Sequence, residues 1–496
     1  MNKESSSYVQ ILKATSIFGG VKIFQIFISI IRSKVVAILL GPTGMGIIGL
    51  LNSTLDLINQ FSKLGLDTSA VKDIAVAHYS ENQERLRITS GVLRRLVWFT
   101  GILGSIVTMA LSPFLSRLVF GNGDYTLAFI WLSIVLFFRQ LTIGQLAILQ
   151  GMRKLKYLAK ANLYGSIVGL LLTIPLYYFF RLDAIVPVII LGALISLGFS
   201  WYFSNKLGIR SKKVSTLLAF SEGKEMLKLG FVLSLSGLIT TLVAYLAQLF
   251  IRHTGGLEQV GFYMAGFMII NTYIGMVFNA MQTDYFPRLS GLVGEPEKLQ
   301  NAVFEQAIVA LLLITPIIIL FLTLAPMAIT LLFSNKFLPI TILVGWGILG
   351  TLFKAVSWSM GYVILVKGDS GLFMKTDIVF NALYITIIIT GYHYFGLLGV
   401  GIGFLIYYII HFVGIKVITF YRYNLYLDKS FNRVFLACLL LCGITFILGY
   451  IERPVLKYSL MGLMLVISVV YTVYQLNVRA DLKSLLKVLI AKKKND

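Results

Sequence analysis

Five cations lie inside stretches otherwise built of hydrocarbon side chains. Lys22, Arg32 and Lys34 sit in the first long apolar run, Arg139 in LFFRQLTIGQL and Lys354 in LFKAVSWSMGYVI. An ammonium or guanidinium at the centre of a bilayer costs about 2.5–3.5 kcal/mol on insertion scales. Such groups persist where they meet water, a partner or a ligand. The chemistry these five share is anion binding, because Lys and Arg satisfy phosphate oxygens through charge-assisted hydrogen bonds. Snorkelling to the interface relieves cations near a helix end, but Arg139 and Lys354 lie mid-run. A water-filled cavity that they face is the sparing arrangement.

A helix turns about 100° per residue, so shared faces follow from spacing. Thr15, Lys22, Gln25, Ser29, Arg32 and Ser33 fall on one stripe of the first run. Lys34 is about 120° away from Lys22 and leaves that stripe. Arg139, Thr142 and Gln150 share a face of the fourth run. On the seventh, Ser234, Thr241, Tyr245, Gln248 and Arg252 align, which makes Tyr245, Gln248 and Arg252 further candidates for contact with a ligand. Asn271 aligns with Gln282 on the eighth run, and Asp377 with Asn381 and Tyr384 on the eleventh. Helix–helix hydrogen bonding uses Ser, Thr, Asn and Gln in the same way. The cations tip several stripes towards one polar cavity. Tyr245, Tyr273, Trp358, Tyr362 and Tyr384 offer faces on which sugar rings stack, although lipid-interface and packing roles are commoner for each alone.

The elements that position these groups are apolar helices. Of 496 residues, 57% are hydrophobic and 13% charged, against roughly 45–50% and 25% in soluble domains. Apolar runs of about 20 residues, enough to cross a bilayer as helix, recur from end to end. About fourteen are read, the first near residues 14–40, the fourth near 126–150, the tenth near 338–366 and the last near 455–475. GPTG at 41–44, GNGD at 121–124 and HTGG at 253–256 punctuate them. The chain therefore reads as an all-α polytopic membrane protein. Two pseudo-symmetric six-helix lobes are expected, over residues 1–213 and 214–425, with two added helices and a basic tail over 426–496. The N-terminus lacks a small-residue cleavage site, so the first run is expected to be retained.

The net charge of +22 is then topological. With both termini cytoplasmic, the great majority of Lys and Arg fall on the cytoplasmic side, as the positive-inside rule requires. Arg85, Arg87, Arg94, Arg95, Arg153, Lys154, Lys156 and the tail Lys492–Lys494 all belong there. No nucleic-acid partner is needed. The four His residues have no metal spacing, Cys438 and Cys442 read as buried thiols, and no Walker, G-x-S-x-G or H-E-x-x-H motif is present. GVGIGF at 399–404 lies inside an apolar run and reads as close helix packing. No catalytic residue, metal or cofactor is assigned.

Local motifs add a resemblance. VKIF…IRSKVVAILLGPTGMGIIG, QLAILQGMRKLKYLAKANL, EQVGFYMAGF, DYFPRLSGL and LLFSNKFLP…LFKAVSWSMGYVILVKG are spread over residues 10–420. Together they resemble the Wzx-type polysaccharide flippases, which move O-antigen or enterobacterial common antigen intermediates and belong to the multidrug/oligosaccharidyl-lipid/polysaccharide superfamily. The resemblance implies two lobes around a cationic cavity that opens alternately to either side. Its implied cargo is an undecaprenyl-diphosphate-linked oligosaccharide, moved from the cytoplasmic to the periplasmic leaflet of the bacterial inner membrane. Glycan polymerase and chain-length machinery are implied partners. Lys22, Lys34 and Lys354 match positions that are basic in such flippases, whereas Arg32 and Arg139 rest on helical geometry. Whether Arg32 or Lys34 faces the cavity stays open. Asp284 and Asp377 are candidates for ion coupling. Alternatives are an ion-coupled multidrug exporter, for which Asp56 would also serve, a lipid II flippase and, more distantly, a membrane glycan polymerase or ligase.

Overall fold

In a computed structural model the chain is helical throughout its described part, residues 24–480 without 81, 210, 211 and 213. The side chains of 232, 233, 279, 280, 283, 284 and 480 are also outside the description. Lys22 and the lysine tail thus fall beyond the described residues, as does the side chain of Asp284. The helices are α1 (24–39), α2 (Gly41–Ser62), α3 (Leu66–Tyr79), α4 (Gln83–Phe120), α5 (Thr126–Gly151), α6 (Leu155–Phe180), α7 (Ile185–Asn205) and α8 (Thr216–Glu222). They continue as α9 (Lys224–Phe267), α10 (Met276–Ser290), α11 (Pro296–Leu332), α12 (Thr341–Val366), α13 (Ser370–Tyr423), α14 (Lys429–Leu448) and α15 (Pro454–Ala480).

Nine stretches of the described residues are long and apolar enough to cross a membrane. Three of them hold two helices each: α6 with α7, α9 broken at Gly256, and α13 broken at Gly396. Counted with α1 and α2, which lie outside those nine stretches, these give fourteen helices, the number expected from the sequence. The surface agrees: Phe27, Trp131, Leu171, Phe179, Tyr394 and Val470 stand more than half exposed. Exposed apolar area on this scale belongs against lipid.

The turns follow from their residues. Gly41 has φ +69° and precedes Pro42 in the first turn of α2, so GPTG ends α1 and starts α2 without a loop. Gly396, at φ +57°, folds α13 back on itself. Gly391 and Gly399 then meet backbone to backbone, and a Cβ on either would strike the other's carbonyl. The hairpin is clasped at its open end. The Asp369 carboxylate accepts from Leu372 N–H at 3.2 Å and from the Arg422 guanidinium at 3.1 Å. The Leu372 N–H chiefly, with Arg422 and Tyr423, holds the Asp369 carboxyl below its ordinary range. A depressed carboxyl stabilises the fold above its unfolded pKa, and that contribution fades as pH falls through the folded value.

The chain divides into two compact units, Met1–Gly261 and Phe262–Asp496. In the first, Leu66, Ala70 and Ile74 of α3 pack with Val92, Leu93 and Leu96 of α4, Ala147 and Ile148 of α5 and Met226 of α9. The Tyr245 hydroxyl accepts from Thr54 at 3.1 Å, so the first part of α9 packs in this unit. In the second unit α11 is the core helix, with Leu311, Ile314 and Ile318 fully buried. α14 and α15 pack on it, and Thr472 of α15 donates to the Leu312 carbonyl at 2.9 Å. Cys438 and Cys442 are buried free thiols of α14.

Gly391→Val should destabilise the α13 hairpin by about 1–3 kcal/mol, the usual range for overpacking. The check is a lowered unfolding midpoint of the purified protein; an unchanged midpoint would contradict the hairpin contact.

Candidate functional site

α1, α2, α5, α6 and α7 surround a cavity of about 560 Å³ in the first unit. Its polar lining includes Arg32, Asn52, Asp56, Arg139, Thr142 and Tyr177. Arg139 donates to Asp56 Oδ1 at 2.6 Å and to Asn52 Oδ1 at 3.0 Å. Behind it, Gln140 donates to Asn59 Oδ1 at 3.2 Å and accepts from Thr100 at 3.4 Å. A guanidinium carries five N–H donors, so its two bonds orient Arg139 without exhausting it.

Arg32 lines the same cavity. Its Nη2 would lie 3.3 Å from a Cβ on Gly169, so the bare Gly169 of α6 leaves the guanidinium its room. Lys34, two residues on and about 200° around the helix, is half-buried and does not line this cavity. The described lining carries two guanidinium groups against one carboxylate, an excess of positive charge.

Asn52, Asp56 and Asn59 join this site as a group that the polar stripes of the sequence do not announce. They sit at i, i+4 and i+7 in LNSTLDLINQ, one face of α2. That spacing was the available signal. What the sequence cannot supply is the partner, since Arg139 lies 83 positions from Asp56.

The second unit holds Lys354 in a different setting. Its Nζ donates to Asn271 Oδ1 at 3.1 Å and lies 5.8 Å from the Phe278 ring centroid and 5.4 Å from that of Tyr408. Asn271 is presented by a π-helical turn, Met268–Ile274, a local widening common at functional sites. Tyr408 leads to His411, with rings 5.9 Å apart, and Tyr407 to Tyr384, with rings 5.0 Å apart. Asp377 accepts from Asn381 at 3.1 Å, one turn from Tyr384 on α13. Trp358 and Tyr362 of α12 pack with Tyr285, whose hydroxyl donates to the Ser359 carbonyl at 2.7 Å.

The α9 stripe goes elsewhere. Arg252 donates to the Phe120 carbonyl at 2.7 Å, and His253 reaches the Leu118 carbonyl at 2.8 Å. Both meet the last turn of α4, where exposed carbonyls and the negative end of the helix dipole favour a cation. Tyr245 and Gln248 are buried at 4% and 7% exposure and do not line the cavity. Packing and capping account for the stripe's alignment as well as ligand contact would.

Apolar helices of this length, with cations held among them, mark a multi-pass membrane protein. Solved structures share the fold. An inward-facing multidrug resistance transporter of the MATE family, in the MOP superfamily, matches with a TM-score of 0.67 at 15% identity, covering 84% of this chain and 99% of that one. The lipid II flippase MurJ, in an inward closed conformation, matches with a TM-score of 0.65 at 12% identity, over 94% and 99%. At these identities the likeness is one of fold. The chain belongs to the polysaccharide biosynthesis protein family, whose model matches residues 35–342. It is 21% identical over 383 residues to the lipid III flippase of Escherichia coli (strain K12), covering 75% of this chain and 88% of that protein. The resemblance to polysaccharide flippases of the superfamily is upheld, and the relatives are flippases by name rather than enzymes.

Arg252→Gln should lower stability by about 1 kcal/mol through the lost helix-end contact, read as a lower unfolding midpoint. Binding of a soluble diphosphate-sugar analogue should stay unchanged in this variant. Loss of binding at full stability would return Arg252 to the ligand site.

Proposed function

We propose that the protein is a lipid-linked oligosaccharide flippase. Its cargo is an undecaprenyl-diphosphate-linked repeat unit, carried from the cytoplasmic to the periplasmic leaflet of the bacterial inner membrane by alternating access. The observation that carries the reading is the pair Arg32 and Arg139 on one cavity inside membrane-crossing helices. A diphosphate is the anion that such a pair suits, since each guanidinium offers a planar fork to two oxygens. The family membership and the 21% identity to a lipid III flippase support a lipid-linked substrate.

Roles follow from position. Arg32 and Arg139 receive the diphosphate, with Asp56 and Asn52 fixing the Arg139 fork. Lys354, ringed by Asn271, Phe278 and Tyr408, offers a second cationic station. Tyr384, Tyr407 and Tyr408 give it aromatic surroundings suited to sugars. Lys22 and Lys34 stay in the proposal through the family motif, and Asp377 and Asp284 as ion-coupling candidates. Pseudo-symmetric lobes, cytoplasmic termini and association with glycan polymerase and chain-length machinery belong to the same proposal. A cationic drug is a poor fit to a cavity with a net positive lining, which disfavours the multidrug exporter.

Deletion of the gene should cause lipid-linked oligosaccharide to accumulate on the cytoplasmic leaflet, with loss of the surface glycan. Normal surface glycan in the deletion strain would overturn the reading. On complementation, Arg139→Gln and Lys354→Ala should each cut export by about tenfold or more, the effect of losing one charge-assisted contact worth about 1.5–3 kcal/mol. Asp56→Asn should give a smaller loss, because it misaligns Arg139 without removing it.

A further inference from the structure

A second hollow in the first unit lies apart from the cationic cavity. It holds about 450 Å³ between α4, α5 and α7 and shares no lining residue with the cavity around Arg32. Arg94, Gln145, Trp98, Trp201, Gly144 and Gly198 line it. Trp98 and Trp201 are half exposed, at 50% and 56%, so the hollow opens on the outer, lipid-facing side. Trp98 is braced edge-on against Phe137 at 4.8 Å, which fixes that wall. Exposed Trp on membrane helices marks the level of the headgroups.

The hollow lies at the end of the unit where basic residues gather. Arg94 is in the N-terminal third of α4, close along the helix to Arg85, Arg87 and Arg95. Gln145 and Trp201 are in the last turns of α5 and α7, next to Arg153, Lys154 and Lys206. That end attracts anionic lipid. Inside, the Gln145 carboxamide oxygen is buried and has no hydrogen-bond partner. A buried acceptor left unmet costs about 1–3 kcal/mol, and a ligand bearing a donor relieves it.

We propose that this hollow is a binding site for an anionic phospholipid whose headgroup carries hydroxyl donors, as phosphatidylglycerol does. The phosphodiester meets Arg94, a headgroup hydroxyl donates to Gln145 Oε1, and the first acyl carbons lie against Trp98, Leu194 and Leu197. The site holds annular lipid rather than cargo, and it stands independently of the transport reading.

The test is native mass spectrometry of the full-length protein, with three lipids of matched chains. These are phosphatidylglycerol, phosphatidylmethanol, which has the same charge without the hydroxyls, and phosphatidylcholine. Phosphatidylglycerol should be retained about tenfold more strongly than phosphatidylmethanol, a difference of one good hydrogen bond, and more strongly still than phosphatidylcholine, which also lacks the net charge. Gln145→Leu should bring phosphatidylglycerol down to the level of phosphatidylmethanol, and Arg94→Gln should weaken both anionic lipids. Gly198→Leu fills the hollow where a Cβ meets nothing within 4 Å. It should abolish the preference while leaving the unfolding midpoint in place, which separates loss of binding from loss of fold. Equal retention of phosphatidylglycerol and phosphatidylmethanol by the native protein would overturn the proposal, as would an undiminished preference in Gln145→Leu.

Discussion

Hydrocarbon does not solvate a charge, and the placement of Arg139, Lys354 and Arg252 answers that constraint. Arg139 is set by Asp56 and Asn52, whose bonds hold its guanidinium at the edge of an open cavity. Lys354 is set by Asn271 and two aromatic faces. Arg252 finds the Phe120 carbonyl at a helix end. In each case the partner satisfies part of the donor set. Arg252 meets a backbone carbonyl and does not line the cavity. Arg32 and Arg139 instead keep donors towards a cavity, which is the condition for receiving an anion.

The constraint also explains which helices must approach closely. Arg139 reaches Asp56 only because α2 and α5 meet in the first unit. α2 starts abruptly at the Gly41–Pro42 turn, which sets the phase of its polar face, Asn52, Asp56 and Asn59, relative to α1. Arg32 can share the cavity because α6 offers Gly169 opposite it. A hairpin, a glycine and one ion pair thus place two guanidinium groups around a cavity of about 560 Å³.

Much of this was legible in the sequence. Apolar runs gave the passes, and turn residues such as GPTG gave their ends, because length and backbone conformation are local properties. Helical phase set Arg32 on a polar stripe and Lys34 off it, but the motif resemblance favoured Lys34, so the choice between them was not legible; in the structure Arg32 lines the cavity and Lys34 does not. Partnership was not legible. Asp56 with Arg139, Arg252 with the end of α4, and Lys354 with Asn271 are all joined by tertiary packing, across 83, 132 and 83 positions. The short α3 also escaped notice. At 14 residues it is too short to mark a pass, and its burial against α4 and α5 is a property of the packed unit.

The central claim is that the guanidinium pair Arg32 and Arg139 receives the diphosphate of a lipid-linked oligosaccharide during its passage. The most direct measurement reconstitutes the purified protein in liposomes loaded with that lipid and follows how much oligosaccharide becomes accessible to an impermeant sugar-oxidising reagent. The account predicts that the native protein exposes headgroups from the inner leaflet, and that Arg32→Gln with Arg139→Gln holds exposure at the level of protein-free liposomes. Exposure by the double variant at the native rate would contradict it.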